Sequence, residues 1–477
     1  MDCRRTGRRR RNLGLSAPLT DNTIAVLSRQ GHSLMTGESV GERYSVDFTA
    51  ENAFRPSAVV RPGSTEEVAR VLKTCHEHGQ PVVVQGGMTG LAGGATPQAG
   101  ELALSLERLN GIEELDAAAM TITAWAGTPL QVIQEAARDA GFHLPLDFGA
   151  RGSCHIGGAI ATNAGGNQVI RFGMTRNLVL GLEAVLADGT VISSLNKMLK
   201  NNAGYDLKQL FVGTEGTLGV ITRAVLRLYP KLESTCTALC AVRSFDPAVS
   251  LLRELQGKLG GSVSAYEVMW SPYFDRVIGH SDSLRSPFDR DYPIYALVEA
   301  EGSDHETDSR RFEEVLAGAL EAGLIDDAAI AQSEKDRQSF WNIRDGVAEI
   351  TADLLPYASL DVSMDIAEMA EFLDEFDTEL KAALPDAINL VFGHIGDNNL
   401  HLFVSTRREG DLKTIFDIGY RLTGAHGGSV SAEHGIGVLK RDYLHLSRSP
   451  EELELMRRLK QALDPKSILN PGRVIPA

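Results

Sequence analysis

Three glycine-rich segments constrain the fold of this chain more than any other feature. They span residues 85–94, 149–166 and 213–221, and each lies beside a predicted strand. Because glycine has no Cβ atom, such segments let the backbone approach phosphate groups and direct N–H groups at them. None has the Rossmann order of strand, G-x-G-x-x-G and helix, and no Walker lysine follows them. The pattern therefore predicts a large phosphorylated cofactor that is held by another fold.

Length and composition narrow the class of protein. A chain of 477 residues exceeds what one hydrophobic core normally supports, so several domains are expected. The net charge of −16 argues against nucleic acid as a partner. No apolar run is long enough to span a bilayer, so no transmembrane segment is expected. Five scattered cysteines without a CxxC spacing indicate neither an iron–sulfur cluster nor a zinc ribbon, and they favour a reducing compartment.

Changes in composition divide the chain into four parts. Residues 1–18 form an arginine-rich tail without an apolar segment behind it, which we interpret as disordered. Residues 19–230 contain the glycine-rich segments, residues 231–421 read as a second α+β domain, and residues 422–477 form a C-terminal segment. A cytoplasmic location is expected, or the mitochondrial matrix if the tail is a transit peptide.

Local patterns predict several elements of these parts. Ser64 and Glu67 have the spacing of a capping box, and Pro129 is expected at the first position of another helix. Residues 187–190 read as a hairpin turn. Amphipathic or apolar periodicity predicts further elements, which are helices at 249–259, 309–322 and 451–463 and strands at 220–228, 294–298 and 388–392.

Two histidine motifs near the C-terminus suggest metal chemistry. His394 and His401 flank a turn-forming sequence, so a strand–turn–strand would point both imidazoles at one place. Together with Glu433 they could hold a divalent metal and leave coordination positions open. His434 is then available to move a proton. Asp397 is expected to orient a ligand imidazole, although turn formation alone would also explain it.

The motifs in residues 86–94, 152–158, 163–166 and 202–207, with both histidine motifs, resemble one family. It is the FAD-dependent D-2-hydroxyacid dehydrogenases, which include D-lactate, glycolate and D-2-hydroxyglutarate enzymes. The resemblance covers about residues 19–474. It implies an α+β fold, with a PCMH-type FAD-binding domain, a second α+β substrate (cap) domain and a C-terminal segment that completes the active site.

The resemblance implies that the glycine-rich segments hold FAD. Met88 and Thr89 occupy the region where members of the wider fold carry a flavin-linked histidine, so non-covalent FAD is expected. His155 is predicted to be a packed, hydrogen-bonded residue near the cofactor rather than a catalytic one. The cofactor-binding residues predicted in this way are Gln85, Gly86, Gly87, Met88, Thr89, Gly90, Leu91, Pro145, Gly152, Ser153, His155, Gly157, Gly158, Asn163, Gly165, Gly166, Gly213, Glu215, Gly219, Val220, Ile221 and Asn470.

The resemblance also assigns the reaction. His394, His401 and Glu433 would bind a divalent cation, zinc or manganese, and His434 would be the base. Arg344 would bind the substrate carboxylate; without the family match, a helix-surface arginine paired with Asp345 or Glu349 is the simpler interpretation. The expected reaction oxidises a D-2-hydroxyacid to the 2-oxoacid by hydride transfer to flavin.

Three positions bear on the substrate. The 2-hydroxyglutarate members carry threonine, lysine and asparagine that help bind the distal carboxylate, whereas Ala348, Ser359 and Phe403 align there. This predicts a D-lactate-like monocarboxylate, with D-2-hydroxyglutarate as the alternative. Electrons would leave to an external acceptor, such as a quinone, an electron-transfer flavoprotein, a cytochrome or oxygen, and a homodimer is compatible with the family.

Two other classes of function fit part of the sequence. A metal-dependent hydrolase built on the same ligands would leave the glycine-rich segments unexplained. A non-catalytic flavin-binding subunit would be expected to lack the base or the ligands, which are present here.

Overall fold

The computed structural model describes residues 17–49 and 52–476, so residues 1–16 of the predicted tail lie outside the described residues. The strands are β1 (Leu34–Thr36), β2 (Ala58–Val60), β3 (Val82–Gln85), β4 (Leu102–Ser105), β5 (Ile112–Asp116), β6 (Thr121–Trp125), β7 (Phe142–His143), β8 (Val179–Val185), β9 (Val191–Ser194), β10 (Val220–Arg227), β11 (Tyr229–Pro230), β12 (Ser234–Val242), β13 (Val263–Trp270), β14 (Ile294–Gly302), β15 (Asp327–Ile330), β16 (Ala358–Ser363), β17 (Ile388–Gly393) and β18 (Asn399–Ser405). The α-helices are α1 (Ala17–Arg29), α2 (Thr65–His78), α3 (Leu130–Asp139), α4 (Ile156–Thr162), α5 (Val169–Phe172), α6 (Thr175–Leu178), α7 (Phe245–Leu259), α8 (Ser271–His280), α9 (His305–Glu321), α10 (Glu334–Asp345), α11 (Val347–Thr351), α12 (Met369–Ala383), α13 (Leu412–Ala425) and α14 (Pro450–Leu463).

Two sheets share the first hydrophobic core. One has the order β1-β2-β4-β3, in which β2, β4 and β3 are parallel. The other is antiparallel, with the order β5-β6-β10-β8-β9. Leu72, Ile122 and Leu226 are fully or almost fully buried in the core between them, and Leu469 joins it from the end of the chain. This core positions all three glycine-rich segments.

A larger, seven-stranded sheet carries the rest of the fold. Its order is β15-β12-β14-β13-β17-β18-β16, and each pair of neighbours is antiparallel. Because side chains alternate along a strand, Leu297 and Val298 of β14 belong to cores on opposite faces. Helices α7, α9, α12 and α13 cover one face, and α8, α10 and α11 cover the other. Because helices cover both faces of the sheet, side chains on both faces of its central strands are buried, and these strands are mostly apolar runs in the sequence.

The local predictions hold with small shifts. Ser64 caps α2 by accepting from the Glu67 amide at 3.2 Å, and the Glu67 carboxylate accepts from the Gly63 amide rather than from the Ser64 amide of a full capping box. Pro129 is the N-cap of α3 rather than its first residue, so the helix begins one residue later than expected. The hairpin predicted at residues 187–190 joins β8 and β9, which pair in register.

The C-terminal residues return to the first core. Leu469 forms a parallel bridge with Val82, beside β3. The guanidinium of Arg473 is buried, and it bonds to the Glu101 carboxylate and to the Thr96 carbonyl oxygen. The C-terminal residues are therefore part of the first hydrophobic core. Among the described residues, no helix is both long and apolar enough to cross a membrane.

An ion pair between the buried Glu183 and the partly buried Arg223 gives a stability prediction. Glu183 accepts from Arg223 at 2.6 and 2.9 Å and from Thr65 at 2.6 Å. Burial alone would raise the pKa of Glu183, but Arg223, Thr65 and Thr222 outweigh it and lower the pKa to about 2. The folded-state pKa is below the unfolded value, so this stabilisation is present above about pH 4.5 and is lost as the pH falls toward 2.

We expect Glu183→Gln to lower the stability at pH 7 by roughly 1.5–3 kcal/mol, because charged hydrogen bonds are lost. The difference from the wild type should narrow below about pH 4.5, as measured by thermal unfolding across pH. Glu113→Gln is the matched control, since Glu113 is a more exposed partner of the same arginine and its loss should cost under about 1 kcal/mol. Equal effects of the two variants would contradict the assignment.

Candidate active site

A tight turn brings the two predicted histidines together. His394 follows β17, a 3-10 turn spans Ile395–Asp397, and Asn398 adopts a left-handed conformation with φ of 71° before β18. The ring centroids of His394 and His401 lie 5.3 Å apart. The predicted strand–turn–strand is therefore confirmed.

Glu433 completes a three-ligand group with these histidines. Each of the three residues offers one ligand atom, and these atoms all lie within 4.8 Å of one another. The Nε2 atom of His394 is 3.9 Å from a Glu433 oxygen. Two imidazoles and one carboxylate suit a divalent transition metal, so the donor set fits the predicted cation.

Glu267, which was not predicted from the sequence, contacts the imidazole of His394. Its carboxylate lies 2.7 Å from Nδ1 of His394, so Nε2 is left to face Glu433. Burial alone would lower the pKa of His394, but Glu267 outweighs it and raises the pKa to about 9. The available signal was a glutamate within the buried apolar strand β13. The carboxylate that contacts Nδ1 is thus Glu267 rather than Asp397.

Asp397 lies in the same turn without such a contact. Its Oδ1 atom is buried and has no hydrogen-bond partner among the described residues. Burial raises the pKa of Asp397 to about 7, and His394 opposes that rise. The Asp397 carboxyl group is therefore only partly ionised near neutral pH.

Arg344 is buried beside the ligands rather than on a helix surface. It lies on α10, and its Nε atom donates to Glu267 at 2.9 Å, while Nη1 donates to Asp345 at 3.2 Å. The Nη2 atom is 2.8 Å from Nε2 of His394, and the guanidinium lies over the Phe392 ring. Burial would lower the pKa of Arg344, but Glu267 and Asp345 raise it overall, so the group stays charged.

A second missed carboxylate, Asp361, holds the Glu433–His434 turn. It lies in β16 and is completely buried. Its Oδ2 atom accepts from the backbone amides of Glu433 and His434 at 3.0 Å each. The buried Lys440 ammonium is 3.4 Å away. An aspartate inside an apolar strand was the signal that could have identified it.

Glu215 holds the next part of the same loop. Its carboxylate accepts from the backbone amides of Ile436 and Gly437 at 2.7 and 2.8 Å. Its carbonyl oxygen accepts from the Asn470 amide at 2.5 Å, and Asn470 in turn accepts from the Val84 amide at 2.8 Å. The side chains of Glu215 and Asn470 therefore join loops to one another, and their predicted contacts with the cofactor stay predictions.

The first two glycine-rich segments pack backbone to backbone. A Cβ atom on Gly87 would lie 2.0 Å from the carbonyl oxygen of Ser153, so only glycine fits there. A Cβ atom on Gly165 would lie 2.7 Å from a Glu433 oxygen, which places the second segment against the ligand group. The Nδ1 atom of His155 is buried and has no partner in the described chain, so the predicted hydrogen bond is not made to protein. Close backbones and an unpaired buried nitrogen fit a bound polar cofactor.

The other predicted cofactor residues fall into three groups. Val220 and Ile221 point into the first hydrophobic core, so only their backbone is available to a ligand. Gln85 uses its amide nitrogen to bond the carbonyl oxygens of Tyr44 and Ala95. The remainder lie in the loops or short helices of the glycine-rich segments or, for Pro145, in the loop that follows β7, and they are Gly86, Met88, Thr89, Gly90, Leu91, Pro145, Gly152, Gly157, Gly158, Asn163, Gly166, Gly213 and Gly219.

Comparison with known proteins identifies the family. The description "FAD binding domain" matches residues 56–194, and "FAD linked oxidases, C-terminal domain" matches residues 231–474. A D-2-hydroxyglutarate dehydrogenase of Arabidopsis thaliana, described as mitochondrial, is 40% identical over 418 residues, which are 87% of this chain and 74% of that protein. One from Xanthomonas citri is 39% identical over 440 residues, 91% of this chain and 92% of that protein. The chain belongs to the FAD-dependent D-2-hydroxyacid dehydrogenase family.

The fold agrees with this membership. A solved structure of p-cresol methylhydroxylase with substrate bound superposes with a TM-score of 0.75 at 16% identity, covering 97% of this chain and 98% of that one. The predicted α+β, PCMH-type fold is therefore confirmed. The protein is an FAD-dependent oxidoreductase that acts on CH–OH groups, so the hydrolase and the non-catalytic subunit are set aside.

Glu215 gives a prediction about the active-site loop. We expect Glu215→Gln to lower turnover by roughly 10-fold or more, because a glutamine oxygen can accept from one amide while its NH₂ group opposes the other. Steady-state kinetics should be measured together with FAD content from the visible absorbance. Turnover close to that of the wild type, with normal FAD content, would show that this carboxylate does not hold the loop.

Proposed function

We propose that the protein oxidises D-2-hydroxyglutarate to the 2-oxoacid, using non-covalent FAD and a divalent cation. The relatives support this substrate, since proteins with that activity in their names match about nine-tenths of the chain. They favour the alternative of the sequence analysis over the D-lactate-like monocarboxylate. The observation that carries the proposal is the convergence of His394, His401, Glu433 and His434 against Gly165 of a cofactor segment.

Each group has residues suited to hold it. The glycine-rich segments would hold FAD, and His394, His401 and Glu433 would hold zinc or manganese. When bound, FAD supplies a two-electron acceptor and the cation supplies positive charge that favours an ionised substrate hydroxyl. Burial lowers the pKa of His401 well below its ordinary value, which keeps that imidazole neutral and able to donate a lone pair.

His434 is the proposed base. Burial lowers the pKa of His434, and Asp361 only partly opposes this, so the imidazole is neutral near pH 7. A neutral imidazole can accept the proton of the substrate hydroxyl. Its ring centroid is 6.0 Å from that of His401, so it adjoins the ligand group without belonging to it.

Arg344 is the proposed anchor for the substrate carboxylate adjacent to the hydroxyl. Its charged planar fork is suited to bidentate binding of a carboxylate. In the structure, Nη2 lies 2.8 Å from Nε2 of His394. If Nε2 of His394 binds a cation, that nitrogen has no lone pair to offer Arg344, and Nη2 is available to the substrate.

The second carboxylate of the substrate is the point at which this chain departs from the family pattern. Ser359 and Phe403 are direct neighbours across β16 and β18, and Ala348 is exposed on α11. The Phe403 ring stacks on Phe392, over which Arg344 lies. An aromatic wall at that place favours a second candidate, a D-lactate-like monocarboxylate.

The remaining partners are also proposals. Reduced flavin would pass its electrons to an external acceptor, whether quinone, electron-transfer flavoprotein, cytochrome or oxygen. The compartment would be the cytoplasm or the mitochondrial matrix, and a homodimer would be compatible with either. Dye-linked assays avoid dependence on the acceptor.

A substrate panel separates the two candidates. We expect kcat/KM for D-2-hydroxyglutarate to exceed that for D-lactate by roughly 10-fold or more, because a hydrogen bond from the Ser359 hydroxyl to the second carboxylate would be worth about 1.5–3 kcal/mol. Phe403→Asn should raise kcat/KM for the dicarboxylate further, whereas Phe403→Leu, which removes the ring without adding a polar group, should not. Preference for D-lactate in the wild type would favour the second candidate.

Glu267 offers a test of the cation site. We expect Glu267→Gln to weaken cation affinity by roughly 10- to 100-fold, because the His394 ring loses its orienting carboxylate. Metal content after dialysis against a graded chelator measures this directly, and zinc or manganese should restore turnover. Asp345→Asn is the matched control, since Asp345 contacts Arg344 but not His394. Loss of metal in both variants alike would argue against a specific role for Glu267.

A further inference from the structure

Asp361 is completely buried, and its carboxylate lies next to both histidine motifs. It is paired in register with His401 across β16 and β18. Its Oδ1 atom has no hydrogen-bond partner in the described chain and lies 3.8 Å from Nδ1 of His401. Its Oδ2 atom faces the Glu433–His434 turn. One carboxylate therefore touches both halves of the site.

A second cation site is one interpretation of this arrangement. Ligand atoms of Asp361, His401 and His434 lie within 4.8 Å of one another. However, the Lys440 ammonium is buried 3.4 Å from Oδ2 and also donates to Ser431 at 3.2 Å. A divalent cation beside a buried ammonium would be strongly repelled in a low-dielectric site. Lys440 already balances the charge of Asp361, so this group is not a metal site.

The geometry around His434 suggests another role for Asp361. The carboxylate holds the His434 backbone amide at 3.0 Å and lies 3.5 Å from Nδ1 of the same residue. Both distances are to Oδ2, so this oxygen faces the backbone and the ring of His434 at once. A carboxylate at Nδ1 favours the tautomer with the proton on Nδ1, which leaves the lone pair on Nε2.

We propose that Asp361 is the positioning residue for His434, so that Nε2 is the nitrogen that accepts the proton of the substrate hydroxyl. This inference rests on the proposed function of His434 as base. The proton passes from the hydroxyl oxygen to Nε2, and the resulting imidazolium lies beside the negative charge of Asp361. The same logic operates in the aspartate–histidine pair of serine proteases. Lys440 partly neutralises that charge, because its ammonium lies 3.4 Å from Oδ2.

Asp361→Asn separates this role from simple support of the turn. With its oxygen in the place of Oδ2, asparagine can still accept from the Glu433 and His434 amides and faces Nδ1, but it carries no negative charge beside the imidazolium. We expect kcat to fall roughly 100- to 1,000-fold, with KM within about threefold of the wild type, because that negative charge stabilises the imidazolium. FAD content and metal content should stay near wild type. The solvent deuterium isotope effect on kcat should increase, because proton transfer becomes limiting.

A double-mutant cycle with His434→Gln shows whether Asp361 acts through the base. If it does, Asp361→Asn should lower turnover no further in the His434→Gln background. Equal losses in both backgrounds would overturn the inference while leaving His434 as the base. Unchanged turnover in His434→Gln alone would instead remove the base itself from the proposed function, and this inference with it.

A measurement on the wild type covers the case in which Asp361→Asn fails to fold or to retain FAD. In a crystal structure of the enzyme loaded with FAD and cation, we expect an Asp361 oxygen within hydrogen-bond distance of Nδ1 of His434. A separation beyond about 4 Å, or a cation bound directly to Asp361, would overturn the inference.

Discussion

The loop that carries Glu433 and His434 depends on two buried carboxylates. Asp361 accepts from the backbone amides of Glu433 and His434, and Glu215 accepts from those of Ile436 and Gly437. Buried backbone N–H groups must be paired, and buried carboxylates are costly unless they accept several hydrogen bonds. The backbone amides and the carboxylates therefore satisfy one another's hydrogen-bonding groups. Asp361 belongs to the large sheet and Glu215 to a glycine-rich segment, so the loop is fixed only where the two halves of the chain meet.

The return of the chain end strengthens this junction. Asn470 bridges the Val84 amide and the Glu215 carbonyl oxygen, and Arg473 is buried against Glu101. The C-terminal residues thus join β3, which leads into the first glycine-rich segment, to the third segment. Because Glu215 of the third segment also holds the loop that carries Glu433 and His434, these parts of the chain form one connected network.

Much of this arrangement could be predicted from local sequence. Turn residues indicated the strand–turn–strand of His394 and His401, and periodicity placed the helices predicted at 249–259, 309–322 and 451–463 to within about four residues. The supporting carboxylates could not be found in this way, because Glu267 lies 127 positions from His394 and Asp361 lies 73 from His434. A single acidic residue in an apolar strand signals that a partner exists but does not say which.

The roles of individual residues are harder to predict than the elements that carry them. The side chains of Glu215 and Asn470 bond to other loops of the protein, and their predicted contacts with the cofactor stay predictions. The expected D-lactate-like substrate rested on Ala348, Ser359 and Phe403 alone, whereas the relatives match most of the chain. Three positions can alter the fit of a substrate side chain, but they carry less information about substrate class than similarity along the whole length of the chain.

The balance of charge links the ligand group to the rest of the site. Two basic side chains, Arg344 and Lys440, and His394, whose pKa is raised to about 9, lie among four buried or partly buried carboxyl groups, which are Glu267, Asp361, Asp397 and Glu433. Burial raises the pKa values of Glu433 and Asp397, because desolvation disfavours the charged form of a carboxyl group. A divalent cation held by His394, His401 and Glu433 would favour the ionised form of Glu433 and the neutral form of both imidazoles, since metal ligands must be deprotonated.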